Sequence, residues 1–271
     1  MNPRVELGFS NIAWPEELDQ PALDHLQKSG VTLLDISPSR TFGPGPWSNP
    51  GETQKYLAKL AKRGMRIIAF QSLLYTKPDL NIFSAEHHEE LIEHFKTVLD
   101  LAATCEAKFL VFGSPKNRTR NGLPPGRAVD LFRKVGDLAT PYHLCICIEP
   151  SARQYGSDFL NTAKDTAEFI QIVRHPNVRL HLDLGNMLME EEDWRAMIQQ
   201  HASISPHFHL SAPHLRPLNQ IDRTTLTSVL NVLPRFYRHF SMEMLTEGMP
   251  EERLSQISNC LELVAQCQAN P

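Results

Sequence analysis

The sequence lacks any hydrophobic run of the length that a membrane span requires. No stretch of about 18 apolar residues occurs, which is the usual minimum for a transmembrane helix. The first residues, MNPRVELGFSNIAW, contain no long apolar core of the kind found in signal peptides. We therefore expect a cytoplasmic protein that has no membrane partner.

The cysteines offer neither a disulfide framework nor a zinc knuckle. There are five of them, an odd number, and no two stand at C-x-x-C spacing. Cys145 and Cys147 alternate with aliphatic residues in LCICIEP, which is typical of thiols buried in a strand. A length of 271 residues is enough to bury a large apolar core without such cross-links.

An excess of basic residues is also missing. The chain has 27 Lys and Arg against 31 Asp and Glu, so its formal net charge is −4. Binding to nucleic acid depends on clustered basic residues that neutralise phosphates, so we expect no nucleic-acid partner. A sugar or another small metabolite fits this charge better. Histidine, in contrast, is abundant: there are 12, and His207, His209 and His214 lie within eight positions.

Short apolar runs alternate with amphipathic segments along the whole chain. The eight runs are bounded by Gly, Pro or Asn, as buried parallel strands are. They begin at Val5, Val31, Arg66, Lys108, Leu144, Val178, Ser205 and His239. Eight strand and helix units in about 270 residues predict an α/β fold, a (β/α)8 TIM barrel forming a single domain over residues 1–271. The alternative, an open doubly wound sheet, usually has a glycine-rich turn after its first strand, and GFSNIAW has none.

One helix start carries a specific expectation. The segment SAEHHEELIEHFKTVLDLAATC begins with Ser84, a residue type that caps helices, and has Glu86 two positions later. Serine at the N-cap followed by acidic residues in the first turn is a common helix start. The pattern predicts a helix that is capped by Ser84.

Four residues that can bind a metal end four successive predicted strands: Glu149, Asp183, His209 and Glu243. In a barrel, the carboxyl ends of the strands meet at one mouth, where the chemistry is located. Buried carboxylates there would be costly without a compensating charge. Three carboxylates and an imidazole suit one divalent metal ion, Mn²⁺, Mg²⁺, Co²⁺ or Zn²⁺. The alternative is that each residue separately caps its strand.

The order Glu, Asp, His, Glu in the segments IEPS, HLDLGNM, HFHLS and SMEML resembles the xylose isomerase-like TIM-barrel superfamily. That superfamily includes sugar-phosphate isomerases and epimerases, ketose 3-epimerases, inosose dehydratases, hydroxypyruvate isomerases and, more distantly, endonuclease IV. The resemblance implies that Glu149, Asp183, His209 and Glu243 hold one divalent metal. It also implies that Glu149 and Glu243 act as catalytic acid and base on opposite faces of the substrate.

The implied chemistry begins with removal of a proton from a carbon next to a carbonyl group. A metal that chelates the substrate stabilises the resulting enediolate, and a carboxylate acts as the base. Return of the proton completes an isomerisation or an epimerisation of a ketose, a sugar phosphate or a related polyhydroxy ketone. If a β-hydroxyl leaves instead, the same site acts as a dehydratase of an inosose-like or other cyclic polyhydroxy ketone.

Further side chains at strand ends and in the following loops are candidates for contacting a sugar-like substrate. They are Gln71, Lys116, Arg118, Asn186, His207 and His214. Gln71 ends the third strand, and the basic loop GSPKNRTRNG, which contains Lys116 and Arg118, is suited to a phosphate or carboxylate group. Asn186 stands where ketose 3-epimerases have a histidine that contacts the substrate.

The histidines near the predicted ligands divide into two groups. His181 and His207 each lie two positions before a ligand, so strand alternation directs them into the barrel interior, one layer deeper. For His207, orienting a ligand, contacting the substrate and simple packing all stay open. His214 lies in a loop and is a candidate for contacting the substrate or a second metal.

Two other function classes compete with a metal-dependent sugar enzyme. An abasic-site nuclease resembling endonuclease IV needs additional histidines at the early strand ends, and those ends offer Ser10-Asn11, Asp35, Gln71-Ser72 and Gly113-Ser114. A barrel that only binds or scaffolds would be expected to have lost some ligands, whereas all four are present. The resemblance also implies a possible homo-oligomer, since relatives of this kind often pair through barrel helices.

Overall fold

A computed structural model describes residues 5–47 and 49–269, and its centre is one sheet of nine parallel strands. The strands are β1 (Glu6–Ser10), β2 (Leu33–Ile36), β3 (Arg66–Phe70), β4 (Phe109–Phe112), β5 (Cys145–Ile148), β6 (Val178–Leu180), β7 (Leu182–Asp183), β8 (Phe208–Ser211) and β9 (His239–Glu243). Each of the eight predicted apolar runs contains one of these strands or, in one case, two.

The sheet closes into a barrel. The strand order is β6-β5-β4-β3-β2-β1-β9-β8-β7, and every pairing is parallel. Strands β6 and β7 are separated only by His181, so they form one interrupted barrel strand that pairs with β5 on one side and β8 on the other. This confirms the predicted (β/α)8 barrel. The two ends of the strand order, β6 and β7, are halves of this one strand, and that closure excludes the open sheet.

The described residues form ten α-helices around the sheet. They are α1 (Asp19–Lys28), α2 (Pro38–Phe42), α3 (Pro50–Ala61), α4 (His88–Thr104), α5 (Gly126–Ala139), α6 (Ala163–Val173), α7 (Leu184–Met189), α8 (Trp194–His201), α9 (Arg223–Val232) and α10 (Pro250–Ala269). Eight of them correspond to the predicted amphipathic segments. The short helices α2 and α7 directly follow strand ends and were not predicted.

Helix α4 begins at His88, so the prediction that Ser84 caps it is wrong. The preceding residues form a turn, in which the side chain of Asn81 accepts a hydrogen bond from the Phe83 amide (2.8 Å). The backbone N–H of Asn81 in turn donates to His87 Nδ1 (3.0 Å). These local hydrogen bonds compete with helix formation at Ser84, so the helix begins four residues later, at His88.

Apolar side chains fill the layer between the sheet and the helices. Phe112 of β4 packs edge-on against Phe132 of α5, which packs edge-on against Phe169 of α6. Burial of each such side chain contributes about 1.5–3 kcal/mol. The cysteine thiols are free, and Cys147 is buried as predicted, whereas Cys145 is half-buried. In the described part of the chain, no helix has both the length and the apolar character needed to cross a membrane.

Candidate metal centre

The four predicted ligands converge at the carboxyl ends of the strands. One side-chain atom from each of Glu149, Asp183, His209 and Glu243 lies within 4.8 Å of all the others. His209 Nδ1 is 3.4 Å from Glu149 Oε1 and 3.3 Å from Glu243 Oε2. His209 is fully buried, and Asp183 and Glu243 are buried as well. The barrel therefore brings together residues that are up to 94 positions apart in the sequence.

These spacings suit atoms that share a cation. Ligands bound to one ion at about 2.0–2.2 Å lie roughly 3.0–3.5 Å apart. Within the described residues, Glu149 Oε1 and His209 Nδ1 are buried and have no hydrogen-bond partner. A buried polar atom without a partner costs about 1–3 kcal/mol. The site thus has the donor set and the unpartnered atoms that a divalent cation would satisfy.

The raised pKa values of the carboxylates also indicate a site that a positive charge would stabilise. Burial, followed by the charges of Glu149 and Glu243, raises the pKa of Asp183 to about 7. Burial likewise raises the pKa of Glu149. Although burial alone would lower the pKa of His209, the charge of Glu243 and contacts with Asp35 and Glu149 raise it well above its usual value. A divalent cation would relieve the repulsion among the three carboxylates.

Asp35, at the end region of β2, lies directly beneath His209. Its Oδ2 accepts hydrogen bonds from His209 Nε2 (2.9 Å) and His207 Nε2 (2.6 Å), and its Oδ1 accepts one from Ser241 (2.7 Å). Despite complete burial, these two histidines hold the pKa of Asp35 well below its usual value. Because an ionised carboxylate only accepts hydrogen bonds, the network assigns a proton to His209 Nε2 and turns Nδ1 toward the carboxylates.

Two glycines make room for these groups. A side chain at Gly113, just after β4, would overlap the Glu149 carboxylate, and one at Gly8 would overlap the Ser241 hydroxyl. Neither glycine has a positive φ, so close approach rather than backbone strain accounts for them.

Neighbouring polar groups hydrogen-bond to the carboxylates of Glu243 and Asp183. Gln71 Nε2 donates to Glu243 Oε1 (2.7 Å), and Ser211 Oγ donates to Asp183 Oδ2 (2.5 Å). The backbone N–H of Asn186 donates to Asp183 Oδ1 (2.6 Å), so Asp183 also caps α7. These bonds fix the orientation of the Glu243 and Asp183 carboxylates.

Three of the four residues, Glu149, Asp183 and Glu243, line a cavity of about 290 Å³ at the barrel mouth. Gln71 and Asn186 lie on its wall, and the remaining wall includes apolar and aromatic side chains such as Ile12, Tyr75 and Tyr155. Burial, together with the charges of Asp183, Glu243 and Glu149, raises the pKa of Tyr155 to about 12, so its hydroxyl is a donor at neutral pH. The predictions that Gln71 and Asn186 face the site agree with these positions.

Arg118 lies below the cavity, contrary to the expectation that it contacts substrate. Its fully buried guanidinium donates to the carbonyl oxygens of Glu149 (2.7 Å), Phe112 (2.9 Å) and Ser114 (3.0 Å). A short 3-10 helix, Lys116–Arg118, turns this side chain back onto the strand ends. Burial lowers the pKa of Arg118 to about 10, which leaves it charged at neutral pH. The geometry gives Arg118 a supporting role.

The other three candidates also lie away from the cavity wall. Lys116 is exposed and does not line the cavity. His207 lies in the barrel interior, where it binds Asp35 and stacks on Phe109 at 5.1 Å. His214 is exposed on the rim, with its ring 6.3 Å from that of Tyr155. Of the six substrate candidates, the structure thus brings two to the cavity.

Sequence reasoning assigned no role to three polar residues that complete the centre: Asp35, Ser211 and Ser241. The signal for Ser211 was available, because it follows His209 by two positions and therefore faces the same side of β8. Asp35 ends a predicted strand, but no pattern within the sequence links it to His209, 174 positions away.

The family model of the xylose isomerase-like TIM barrel matches residues 23–257, and the chain belongs to this family. Among curated proteins, no sequence matches it. Solved structures match over nearly the whole chain, although their sequence identities are low.

One similar structure is D-psicose 3-epimerase from Clostridium cellulolyticum H10, solved with D-tagatose (17% identity, TM-score 0.74, 97% of each chain covered). Another is the probable 3-DHS dehydratase AsbF from Bacillus anthracis (13% identity, TM-score 0.71), for which 96% of this chain and 98% of that chain are covered. A third is the IolI protein with a bound zinc atom (16% identity, TM-score 0.69), for which the shares are 98% and 97%. At these identities the similarity concerns the fold.

Proposed function

We propose that the protein is a divalent-metal-dependent isomerase or epimerase that acts on a ketose or a related polyhydroxy ketone. The observation that carries the proposal is the placement of Glu149 and Glu243, each within 3.4 Å of His209 Nδ1, at the floor of the cavity. Similar folds in a D-psicose 3-epimerase and in a zinc-containing IolI protein support it.

Glu149, Asp183, His209 and Glu243 are the residues that would hold the ion. When bound, the ion would supply Lewis-acid polarisation of the substrate carbonyl, which acidifies the neighbouring C–H group. We assign proton removal from that carbon to one of the two glutamates and proton return to the other. General-base catalysis of this kind contributes about 10²–10⁴-fold in rate.

The cavity wall favours a neutral substrate. Among the described residues that line it, none is lysine or arginine, and the only formal charges are those of Glu149, Asp183 and Glu243. Gln71 Oε1 and Asn186 Oδ1 are buried acceptors without partners, and hydroxyl groups of a sugar would satisfy them. A phosphate group would find no cation on this wall, so we propose an unphosphorylated polyhydroxy ketone as substrate.

Substitution of either glutamate tests the two-base mechanism. We expect Glu149→Gln and Glu243→Gln each to lower turnover by at least about 10²-fold, because an amide cannot exchange the proton. The measurement is steady-state turnover with Mn²⁺ on the best substrate found. Glu93→Gln, at an exposed position on α4, is the control and keeps full activity. Wild-type turnover in either of the first two variants would contradict the two-base scheme.

The substrate search uses ketoses, ketose phosphates and inososes in D₂O with Mn²⁺. Incorporation of one deuterium at carbon, read by mass spectrometry, marks proton abstraction even when no net product accumulates. Loss of the mass of water instead identifies the second candidate, a dehydratase, which the similar fold of the probable 3-DHS dehydratase favours. If a metal-loaded protein produced neither change on any of these compounds, the proposal of a sugar enzyme would fail.

A further inference from the structure

Ser151 is a buried serine beside the cavity that the candidate metal centre leaves without a role. It follows Glu149 by two positions, and it lines the cavity. Only 3% of the residue is exposed, and its hydroxyl has no hydrogen-bond partner among the described residues. A hydroxyl that is buried without a partner is costly, so its position at a cavity indicates a group that a ligand would pair.

Asn186 presents a second unpartnered atom to the same cavity. Its Nδ2 donates to the backbone carbonyl of Asn161 (3.0 Å), and this bond assigns Oδ1 as the free end of the amide. Oδ1 is buried and receives no hydrogen bond from the residues that the structure describes. Because an amide oxygen only accepts hydrogen bonds, the group that pairs with it must be a donor.

Asn161 joins the two side chains into one hydrogen-bonded unit. Its own Nδ2 donates to the backbone carbonyls of Ser151 (2.8 Å) and Ser157 (2.9 Å), while its carbonyl accepts from Asn186. The backbone N–H of Ser151 also donates to the carbonyl of Leu160 (2.9 Å). The loop after β5 is thereby tied to the first turn of α7. Ser151 and Asn186 are therefore held in place before a substrate binds, which reduces the entropy that binding would cost.

The two unpartnered atoms together select a hydroxyl group. A hydroxyl can donate to Asn186 Oδ1 and accept from Ser151 Oγ at the same time. A keto oxygen, a carboxylate or an ionised phosphate oxygen only accepts hydrogen bonds, so each of them would leave Asn186 Oδ1 unpaired. The pair thus distinguishes a hydroxyl from the other oxygen groups that sugars and their acids carry.

We propose that Ser151 and Asn186 form a subsite for one hydroxyl group of the substrate, in which Ser151 donates and Asn186 accepts. The inference rests on the proposed function and adds one feature to its substrate: a hydroxyl, rather than a carboxylate or a phosphate, reaches this subsite. Ser151 is then a specificity-determining residue. A site that pairs a substrate hydroxyl discriminates against the analogue that lacks it, because its own polar groups are left unpaired.

The first test uses the unmodified protein. Deuterium exchange in D₂O with Mn²⁺ is measured on ketohexoses and inososes and then, for the compound that exchanges fastest, on its monodeoxy analogues. Removal of the hydroxyl that reaches the subsite should lower kcat/KM at least about tenfold. If every monodeoxy analogue reacted as well as its parent, the proposal would be overturned.

The second test assigns that hydroxyl to Ser151. We expect Ser151→Ala to lower kcat/KM for the parent compound about 5–150-fold, the range for a buried polar group that loses its partner. The variant should also discriminate less at one deoxy position and as before at the others. Ser157→Ala is the matched control, because it removes another buried hydroxyl of the same loop, one that donates to the Phe159 carbonyl (3.1 Å) and does not line the cavity. It should discriminate among the analogues as the wild type does.

The outcomes separate the inference from the proposed function. If the wild type exchanges deuterium into none of these compounds, the proposed function fails and the inference fails with it. If the wild type is active and Ser151→Ala keeps full discrimination at every position, only the subsite is refuted. A loss of discrimination at all positions, or the same change in Ser157→Ala, would reveal a general disturbance of the loop and would also overturn the role of Ser151.

Discussion

At the scale of single residues, Asp35 has the widest influence on the site. One buried carboxylate binds His209, His207 and Ser241, and it determines which nitrogen of His209 is free to meet the glutamates. The positions of the four candidate ligands could be predicted, because each ends an apolar run. The role of Asp35 could not be predicted, since its hydrogen bonds to His209, His207 and Ser241 depend on which strands face each other across the barrel.

We expect Asp35→Asn to lower the affinity for Zn²⁺ and Mn²⁺ by about 10–100-fold, the usual effect of losing an outer-shell partner of a metal-binding histidine. The amide oxygen could still accept from both histidines, but the side chain loses the negative charge that strengthens these bonds. Its NH2 group would also face the Ser241 hydroxyl, which donates to Asp35 Oδ1. Metal titration measures the effect, and Asp79→Asn at an exposed position is the control. Unchanged affinity in a folded Asp35→Asn protein would refute this role.

At the scale of elements, strands were predicted well and the residues after them less well. A strand inside a barrel is a short apolar run bounded by turn residues, and this pattern can be recognised in the sequence alone. The direction of a loop side chain depends on local turn geometry instead. Arg118 illustrates this, because the 3-10 helix Lys116–Arg118 turns it inward, and Ser84 illustrates it again through the turn at Asn81.

Arg118 joins the carboxyl ends of β4 and β5, so its removal should weaken the barrel rather than substrate binding alone. We expect Arg118→Met to lower the free energy of unfolding by roughly 2–6 kcal/mol, because buried carbonyls each lose a charged donor. Denaturant titration gives the value. Lys116→Met, on the exposed side of the same turn, should change it by no more than about 0.5 kcal/mol. A stable Arg118→Met protein with lost substrate affinity would restore the substrate-binding interpretation.

At the scale of the whole molecule, the barrel combines an apolar layer beneath its helices with a polar interior. His181, His207, His209 and Asp35 are all fully buried in that interior. Charge predicted a small-molecule partner, and the alternation of strands and helices predicted a single barrel; the family match agrees with this fold. A cytoplasmic location and the assembly of copies into an oligomer stay predictions.

The polar interior should make the folded state sensitive to acid through His239. Burial, followed by the charge of His207, lowers the pKa of His239 to about 4, whereas an unfolded histidine titrates near 6.5. Between these values the unfolded chain binds more protons, so stability should fall as the pH drops from about 6.5 to about 4. Urea unfolding at pH 7 and pH 5 measures the loss. His239→Asn should show a smaller difference between the two pH values; an equal difference would exclude His239 as its source.

Removal of the metal should lower the stability of the entire barrel. A ligand that binds only the folded state adds about 2.7 kcal/mol at a concentration 100 times its dissociation constant. We therefore expect the melting temperature at pH 7 to rise when Mn²⁺, Co²⁺ or Zn²⁺ is added to chelator-treated protein. A melting temperature that does not respond to any of these ions would favour the non-catalytic barrel.

The hydrogen bond between Asp35 and His209 also constrains when the centre can form during synthesis. The two residues are 174 positions apart, and Glu243 follows His209 by a further 34. A nascent chain therefore contains Asp35 in β2 long before β8, which carries its partner His209, emerges from the ribosome. Closing so long a loop is slow, and an early ion would meet only scattered carboxylates. If the protein is the metal-dependent enzyme that we propose, metal binding therefore belongs to the last stage of folding, after the barrel has closed.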